Sequence, residues 1–441
     1  MSRFSSLRTI LCMYVIQAVS VSSPLFGQTP QETTSEDEIP LDSANKSSAL
    51  QEGANEKLPE PPSGLAGNWL GYRTKFAEKG LDFSYVYKGE VARNIKGGIE
   101  SDTQYLQNMD MKLALDGEKL IGLNGGSALL HYLYNFSDLL SEKVGDAQVT
   151  SNIEGPNTIS RWYELWLQQE FFEGAFSILA GLHDLNSEFY VTETSGLFLN
   201  SSFGVGKELS QTGVNGPSIF PTTSPALRVR ISPEKRFYLQ TAAFNAQSGE
   251  LDKPKGSSFR LNQNDGLLVI SELGYAPSSS SQMPAKYGFG YWTYTKTLDH
   301  LSVDLSQADK KVTNRGYYVL LDQTITAKMS AFARYGTAAH EVNQFASCLA
   351  VGGVFNGLMT DGTDQLGFGV VQANLGKTQL DNLRSEGLES TKSETTYELS
   401  YKFEVYTGVA LQPDFQYVVN PSASSELNDA VVGSLRLEVT F

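Results

Sequence analysis

The chain ends in Ser434-Leu435-Arg436-Leu437-Glu438-Val439-Thr440-Phe441, where polar and apolar side chains alternate without a break. Successive side chains of an extended strand point to opposite faces, so the four apolar residues share one face and the four polar residues share the other. A strand with a fully apolar face and a charged face separates two media. This stretch therefore predicts the closing strand of an outer-membrane β-barrel.

Composition supports an all-β membrane protein. The 441 residues include 21 Tyr, 23 Phe and 40 Gly, which suits many strands with aromatic girdles and tight turns. Beyond the N-terminus, no apolar run is long enough to cross a bilayer as a helix, which excludes a helical membrane protein. The net charge of −15 argues against a nucleic-acid partner.

The first 66 residues differ from the rest of the chain. Residues 1–27 predict a cleaved signal peptide, because Arg3 and Arg8 precede an apolar stretch and small residues lead to Gly27. A short membrane anchor is the alternative. Residues 28–66 are acidic and almost free of aromatic side chains, which predicts a disordered periplasmic tail. We thus expect Sec-type export to a bacterial outer membrane, with the barrel in residues 67–441 after a short helix over Tyr72–Lys79.

Alternating segments predict a transmembrane antiparallel β-barrel of sixteen strands. The predicted strands are Leu81–Arg93, Gln107–Leu115, Ser127–Phe136, Ile159–Phe171, Phe176–Leu182, Ala226–Ser232, Arg236–Asn245, Leu267–Tyr275, Tyr287–Thr295, Gly316–Thr324, Lys328–Gly336, Ser347–Phe355, Gln365–Ala373, Thr395–Val405, Gly408–Val419 and Val431–Phe441. Short links alternate with long ones, which predicts short periplasmic turns and long external loops. The links Ala276–Lys286 and Asn356–Asp364 are longer than this rule prefers and leave a miscounted hairpin open.

The longest link is His183–Pro225, the third external loop by this count. A loop of this length in a compact barrel is usually functional. Its glycine, asparagine and aromatic residues would let it fold inward and narrow the lumen. A loop that lies wholly outside the barrel is the alternative.

Period-two alternation assigns the inner and outer faces of each strand. In the fourth strand it places Tyr163, Leu165, Leu167 and Phe171 toward lipid, and Trp162, Glu164, Trp166, Gln168 and Glu170 toward the lumen. Indole beside carboxylate suits a sugar, because the ring covers C–H faces and the carboxylate accepts bonds from hydroxyls. A space-filling or interface-girdle role is the alternative for the tryptophans.

The same alternation places charges of both signs inside the barrel. Arg228 and Arg230 face inward on the sixth strand, and Asp414 does so on the fifteenth. A lumen lined with charges and amides offers many partners to hydroxyl groups and repels apolar solutes. For each charge, the alternative is a solvated wall residue far from any constriction.

Several motifs resemble one family in the right order along residues 67–441. They are Gly67–Arg73 (GNWLGYR), Glu164–Gln169 (ELWLQQ), Ala180–Phe189 (AGLHDLNSEF), Leu197–Gly204 (LFLNSSFG), Tyr397–Tyr401 (YELSY) and Leu411–Pro421 (LQPDFQYVVNP). These motifs resemble the carbohydrate-selective porins of the OprB family. The resemblance implies a sixteen-stranded outer-membrane barrel that passes sugars diffusively. The family often has arginine where His183 stands, and the acidic tail is outside the resemblance.

Loop length, inward phase and the resemblance together give the candidate sugar pathway. Its residues are Glu164, Trp166, Glu170, Asp184, Asn186, Glu188, Asn200, Arg228, Arg230 and Asp414. Phe441 is expected to be part of the signal that the barrel-assembly machinery reads. The other expected partners are small carbohydrates, outer-membrane lipid and lipopolysaccharide, with a homo-oligomer left open.

Enzymatic motifs are absent from the sequence. The four histidines lie in separate segments without zinc-ligand spacing, and neither a G-x-S-x-G elbow nor a phosphate loop is present. We therefore expect no metal and no cofactor. The alternatives to a sugar-selective porin are a general diffusion porin, a barrel enzyme whose site is assembled from distant residues, and a structural or adhesive barrel.

Overall fold

The structure, a computed structural model, describes residues 64–155, 158–234, 236–249, 256–262, 264–277, 284–307, 309–359 and 364–441. The predicted signal peptide and residues 28–63 of the predicted tail lie outside these ranges. Within the described residues, sixteen antiparallel strands form one closed barrel, in which each strand pairs with its neighbours in sequence and β1 pairs with β16. The predicted fold class is confirmed.

The strands are close to the predicted ones. Their bounds are β1 Leu81–Gly98, β2 Thr103–Asp116, β3 Gly126–Ser137, β4 Ile159–Phe171, β5 Phe176–His183, β6 Ser224–Glu234, β7 Phe237–Asn245, β8 Leu267–Tyr275, β9 Ala285–Asp299, β10 Lys311–Thr326, β11 Met329–Thr337, β12 Phe345–Asn356, β13 Gln365–Leu375, β14 Ser393–Tyr406, β15 Val409–Val419 and β16 Asn428–Thr440. The fourth and eighth strands match the prediction to the residue. Several others are longer, because pairing continues past the apolar alternation into polar residues.

Helices are short and lie outside the strands. The α-helices are α1 Tyr72–Glu78, α2 Gly117–Ile121, α3 Ser141–Val144, α4 Lys207–Ser210 and α5 Lys377–Ser385. Short 3-10 turns cover Trp69–Gly71, Leu185–Ser187, Thr194–Leu197, Ser201–Phe203, Leu305–Gln307 and Pro421–Ala423. Helix α1 confirms the predicted N-terminal helix, which stops before Gly80 at a φ of +85°. None of the helices in the described ranges has the length and apolar content that a membrane crossing needs.

The two ends of the barrel differ as predicted. At one end β4–β5, β6–β7, β10–β11 and β14–β15 are joined by residues 172–175, 235–236, 327–328 and 407–408. At the other end the connections include residues 138–158, 184–223, 246–266 and 376–392. We name the connection 184–223 loop L3.

The C-terminal residue meets the segment before β1 at the seam between β1 and β16. The Phe441 amide donates to the Tyr85 carbonyl at 2.9 Å, and the two rings stack with centroids 4.8 Å apart. Arg73 Nη1 donates to the Phe441 carbonyl at 3.2 Å, and the Leu65 amide donates to the Thr440 carbonyl at 2.7 Å. The last residue is therefore held by both the first strand and the segment that precedes it.

The predicted faces of Trp162 and Tyr163 are wrong. In the β3–β4 pair His131 lies opposite Glu164, but Tyr132 lies opposite Trp162, so Tyr163 is an extra residue. This bulge reverses the alternation on its N-terminal side. Trp162 is consequently 40% exposed on the outer face, while Tyr163 points inward and is buried.

Candidate functional site

Loop L3 lies inside the barrel, as the sequence predicted, and its apolar side chains pack on one half of the wall. Its apolar side chains form two clusters with inward-facing residues of β7–β13, which we name the apolar half. In the first cluster the L3 residues are Leu185, Phe189, Tyr190, Val205 and Leu209, and the wall residues are Ala242, Phe244, Leu268, Ile270, Trp292, Tyr294, Tyr318 and Leu320. In the second they are Leu197, Phe198 and Phe203, against Phe332, Cys348, Ala350, Val354 and Val371.

Glycines on the wall let the loop approach closely. A Cβ atom on Gly336 would lie 1.9 Å from Glu208 Oε1, and a Cβ on Gly369 would lie 2.7 Å from the Phe203 ring. Distances below about 3 Å do not occur between such atoms in real structures. Larger residues at these two positions would therefore force the L3 side chains that pack there to shift.

Buried carboxylates of the wall accept hydrogen bonds from the backbone of L3. Glu398 on β14 accepts from the amides of Leu199 at 2.5 Å and Asn200 at 3.0 Å. Glu272 on β8 accepts from the Tyr190 amide at 2.9 Å. Because L3 is mostly irregular, its amides need such partners when they are buried.

Arg334 on β11 donates hydrogen bonds to backbone carbonyl groups of L3. Its guanidinium donates to the carbonyls of Tyr190, Ser202 and Gly204 at 3.1, 2.8 and 2.6 Å. The side chain is 2% exposed and lies over the Tyr190 ring, with 5.0 Å between Cζ and the ring centre. One arginine thus fixes three points of L3, which identifies it as a positioning residue that sequence reasoning missed.

A chain of alternating acids and bases connects the first part of L3 to the opposite side of the wall. Its members, in spatial order, are Asp110 on β2, His131 on β3, Glu164 on β4, His183 on β5, Glu188 in L3 and Arg228 on β6. We name this set the relay. It joins the wall strands β2–β6 to the loop.

Both histidines of the relay bridge two carboxylates. His131 Nε2 lies 2.8 Å from Asp110 Oδ1, and its Nδ1 lies 3.3 Å from Glu164 Oε2. His183 Nδ1 lies 3.3 Å from Glu164 Oε1, and its Nε2 lies 3.1 Å from Glu188 Oε2. His131 and His183 are almost fully buried, so each ring is held by charge-assisted bonds at both nitrogens.

Arg228 ends the relay. Its Nε and Nη2 each donate to one oxygen of Glu188 at 2.8 Å, which is a bidentate pair. The same guanidinium donates to Ser177 Oγ and Gln168 Oε1, both at 2.5 Å. Arg228 is 2% exposed, so it is a wall anchor for L3 and has little surface left for a solute.

Known channels share the sequence pattern and the fold of this chain. A sequence profile described as "Carbohydrate-selective porin, OprB family" matches residues 100–441. The chain belongs to this family. Porin B of Pseudomonas aeruginosa is 24% identical over 421 residues, which cover 86% of this chain and 91% of that protein. The protein is thus an outer-membrane channel, not an enzyme.

Solved structures agree on the fold. The high-pH structure of Pseudomonas putida OprB superposes with a TM-score of 0.77 at 23% identity, covering 88% of this chain and all of that one. The outer membrane channel DcaP of Acinetobacter baumannii gives a TM-score of 0.50 at 11% identity, covering 82% of this chain and 97% of that one. These likenesses concern the barrel architecture.

The inner wall of this OprB-family porin opposite the apolar half is polar. We name the inward faces of β14–β16 and β1–β6 the polar half. Its partly exposed inward side chains include Lys88, Asp110, Lys112, Gln168, Glu170, Arg230, Lys402 and Glu438. The part of the lumen that L3 leaves open is therefore bordered by donors and acceptors of both charge signs.

Two acidic residues at the start of L3 differ in pKa. Burial and the charge of Glu164 raise the pKa of Asp184 to about 6. Burial by itself would raise the pKa of Glu188, but the bond to His183 and the charges of His183 and Arg228 lower it to about 2. At neutral pH, Glu188 is therefore a firmly ionised anchor.

The structure brings some sequence candidates together and separates others. Glu164, Glu188 and Arg228 belong to the relay, the Asp184 amide donates to Glu164 at 3.2 Å, and the Trp166 ring lies edge-on to His183 with 6.3 Å between centroids. The side-chain amide of Asn186 donates from Nδ2 to the Gly204 carbonyl at 3.3 Å, which joins the start of L3 to its middle.

Four other candidates lie elsewhere. Asn200 and Asp414 are both bonded to Gln416 on β15, at 3.3 and 3.0 Å, where L3 meets β14 and β15. Glu170 accepts from Gln168 at 3.1 Å. Arg230 lies 4.3 Å above the Tyr238 ring, where it donates to Gln240 at 2.9 Å.

Sequence reasoning missed the bridging role of His131 and His183, because their spacing excluded only a zinc site and His183 stood out only as a departure from the family pattern. Their inward phase on β3 and β5, next to an inward Glu164 on β4, is the signal that points to the relay.

Proposed function

We propose that sugars cross this porin between L3 and the polar half of the wall. The observation that carries the proposal is the asymmetric seat of L3, which covers the apolar half and leaves part of the charged lining of the other half, such as Lys88, Glu170 and Lys402, partly exposed. Hydroxyl groups both donate and accept hydrogen bonds, so a mixed lining of carboxylates, ammonium groups and amides suits them. Apolar solutes would have to leave water without a matching surface.

Burial divides the candidate residues into two roles. Glu170, Arg230, Asp184, Asn186 and Glu188 are partly exposed, and we propose that they contribute to the constriction. The more deeply buried candidates hold the loop instead. They are Glu164, Trp166, Asn200, Arg228 and Asp414, at 5, 8, 1, 2 and 6% exposure.

Liposome swelling with the purified protein tests the proposal. We expect monosaccharides and disaccharides to enter faster than amino acids of equal size, and Arg230→Gln to reduce the sugar rates. Arg384→Gln is the matched control, because that arginine is exposed on α5 and pairs with Asp381. If all neutral solutes of one size permeate equally, the chain is a general diffusion porin instead.

We also propose that the chain is exported by the Sec pathway and inserted by the barrel-assembly machinery, with lipopolysaccharide around its outer rim. The likeness of residues 1–27 to a signal peptide supports export. The position of Phe441 at the seam, stacked on Tyr85, supports an assembly role. Deleting Phe441 is expected to reduce the amount of inserted barrel, measured by heat-modifiable gel mobility, and normal assembly of the truncated chain would contradict it.

A further inference from the structure

A cavity of about 410 Å³ lies at the long-loop end of the barrel. Its lining comes from L3, from helix α5 and the residues that follow it, and from the connections 138–158, 338–344 and 420–427, together with the first residue of β12 and the last of β13. Its polar lining side chains include Lys207, Gln344, Gln379, Ser390, Ser422 and Ser424. The volume is within the range of small-molecule sites, about 300–1,000 Å³.

Lys207 is the cation of this cavity. It belongs to helix α4 of L3, and its Nζ lies 6.0 Å from the centre of the Phe345 ring. Burial lowers the pKa of Lys207. Among the described residues no carboxylate forms an ion pair with it, so its N–H groups are available for a solute.

Glu389 and Glu426 also line the cavity, and two further acidic groups near Lys207 are engaged elsewhere. Glu394 accepts hydrogen bonds from the amides of Ala147, Gln148 and Ser422, at 2.7, 2.9 and 2.5 Å. Asp146 accepts from Thr150 Oγ1 at 2.6 Å. These carboxylates still repel an anion, which disfavours a carboxylated or phosphorylated ligand at this place.

We propose that the cavity is a sugar-collecting site at the external mouth, which takes a neutral monosaccharide or disaccharide before it reaches L3. The proposal rests on the proposed function, because it assumes that neutral sugars are what the porin passes. Lys207 donates to sugar hydroxyls, Gln344 and Gln379 donate and accept through their carboxamides, and the serine hydroxyls complete the polar lining. Because Lys207 belongs to L3, a ligand held here contacts the same loop that borders the proposed constriction.

Thiol protection tests occupancy at this place. Ser424→Cys puts a half-buried thiol on the cavity lining, whereas the native Cys348 is 2% exposed on β12. We expect maltose to slow modification of the new thiol by a charged methanethiosulfonate reagent, and glycine at equal osmolarity to leave the rate unchanged. Ser306→Cys, on the exposed turn Leu305–Gln307 outside the cavity, is the control in which maltose has no effect.

Adding Lys207→Met to the Ser424→Cys protein tests the ammonium. We expect about ten-fold more maltose to be needed for the same protection, because a charge-assisted hydrogen bond is lost. Lys377→Met is the matched control, since that lysine is exposed on α5 and pairs with Asp381. Each variant is first checked for heat-modifiable mobility of a folded barrel, and Gln379→Ala, on the helical part of the lining, serves as a second cavity variant.

The outcomes separate this site from the proposed function. Sugar-selective swelling without maltose protection at Ser424→Cys would overturn the collecting site and leave the proposed function standing. Protection that survives both Lys207→Met and Gln379→Ala would also overturn it. Non-selective swelling, by contrast, would overturn the proposed function itself.

Discussion

The apolar and polar halves of the lumen wall belong to one barrel and yet face different surroundings. The apolar half turns residues such as Phe244, Trp292, Tyr318 and Phe332 inward, where L3 covers them. The polar half turns charged residues inward, and several of them, such as Lys88, Lys112 and Lys402, are partly exposed. Since the outside of both halves is apolar, only the inner face distinguishes them.

The difference shows what an apolar residue means inside a barrel. In a porin the usual inner face is wet and polar, so buried apolar side chains on an inner face mark the place where another segment packs. Each large apolar side chain buried there contributes about 1.5–3 kcal/mol. The apolar half is therefore the seat that sets the position of L3, and under our proposal the polar half is the surface that a solute meets.

The largest expected effect comes from weakening the apolar seat. Phe203 is 1% exposed, and its ring lies 4.5 Å from Phe198 and 5.9 Å from Phe332, measured between centroids. Phe203→Ala removes most of these contacts and is expected to weaken docking of L3 by about 4 kcal/mol. Single-channel conductance and the size limit for sugars in liposome swelling should both increase.

The matched control for this variant is Phe368→Ala on β13. Phe368 is 54% exposed on the outer face, so it loses contact with lipid and leaves L3 in place. We expect this control to conduct like the unmodified protein. An unchanged size limit in Phe203→Ala would show that the apolar half does not hold the loop.

The second-largest expected effect is on the pH dependence of stability, through a buried acid of L3 that lies against the apolar half. Glu208 in α4 is 1% exposed and accepts a hydrogen bond from Tyr190 Oη at 2.8 Å. Burial raises the pKa of Glu208 from 4.5 to about 7. Because the raised pKa favours the protonated form in the folded state, the contribution of Glu208 to stability is highest below pH 4.5 and falls as the pH rises toward about 7.

Glu208→Gln is expected to remove this pH dependence. The neutral amide replaces the protonated acid, and the shift corresponds to about 3 kcal/mol once the acid is fully ionised. The variant should unfold at a higher temperature than the unmodified protein at pH 8, with the difference vanishing near pH 4, as followed by circular dichroism. Glu142→Gln, exposed on α3, is the control; an equal gain there would contradict a specific role of Glu208.

The barrel could be predicted from the sequence because it depends on a local signal. Alternation along Leu267–Tyr275 or along the last strand needs no knowledge of distant residues, and turn lengths fix the count. The signal failed at Trp162 and Tyr163, where a bulge reverses the two faces. A bulge is decided by pairing with β3, which the sequence of β4 does not contain.

The site was predicted less completely because it depends on distances between segments far apart in sequence. The period-two alternation of side chains placed Glu164 and Arg228 inside the barrel. It could not show that Glu188 would reach Arg228 or that Arg334 would hold three carbonyls of L3. The sequence therefore identified inward residues well and could not separate those that a solute can reach from those that anchor the loop.

The smallest expected effect tests the polar side of the comparison, at the relay. His183→Phe keeps a planar ring next to Phe244, with which His183 stacks at 6.1 Å, but removes both nitrogens that bridge Glu164 and Glu188. Each carboxylate keeps another partner, so the cost is expected to be about 2 kcal/mol.

His183→Arg is the matched variant, since arginine retains a charged donor and is the residue that the family resemblance gives at this position. We expect the His183→Phe barrel to unfold at a lower temperature than the His183→Arg barrel, as followed by heat-modifiable mobility on gels. The size limit for sugars should change little in both variants. If both variants are equally stable, the relay does not anchor the start of L3, and the apolar half alone holds the loop.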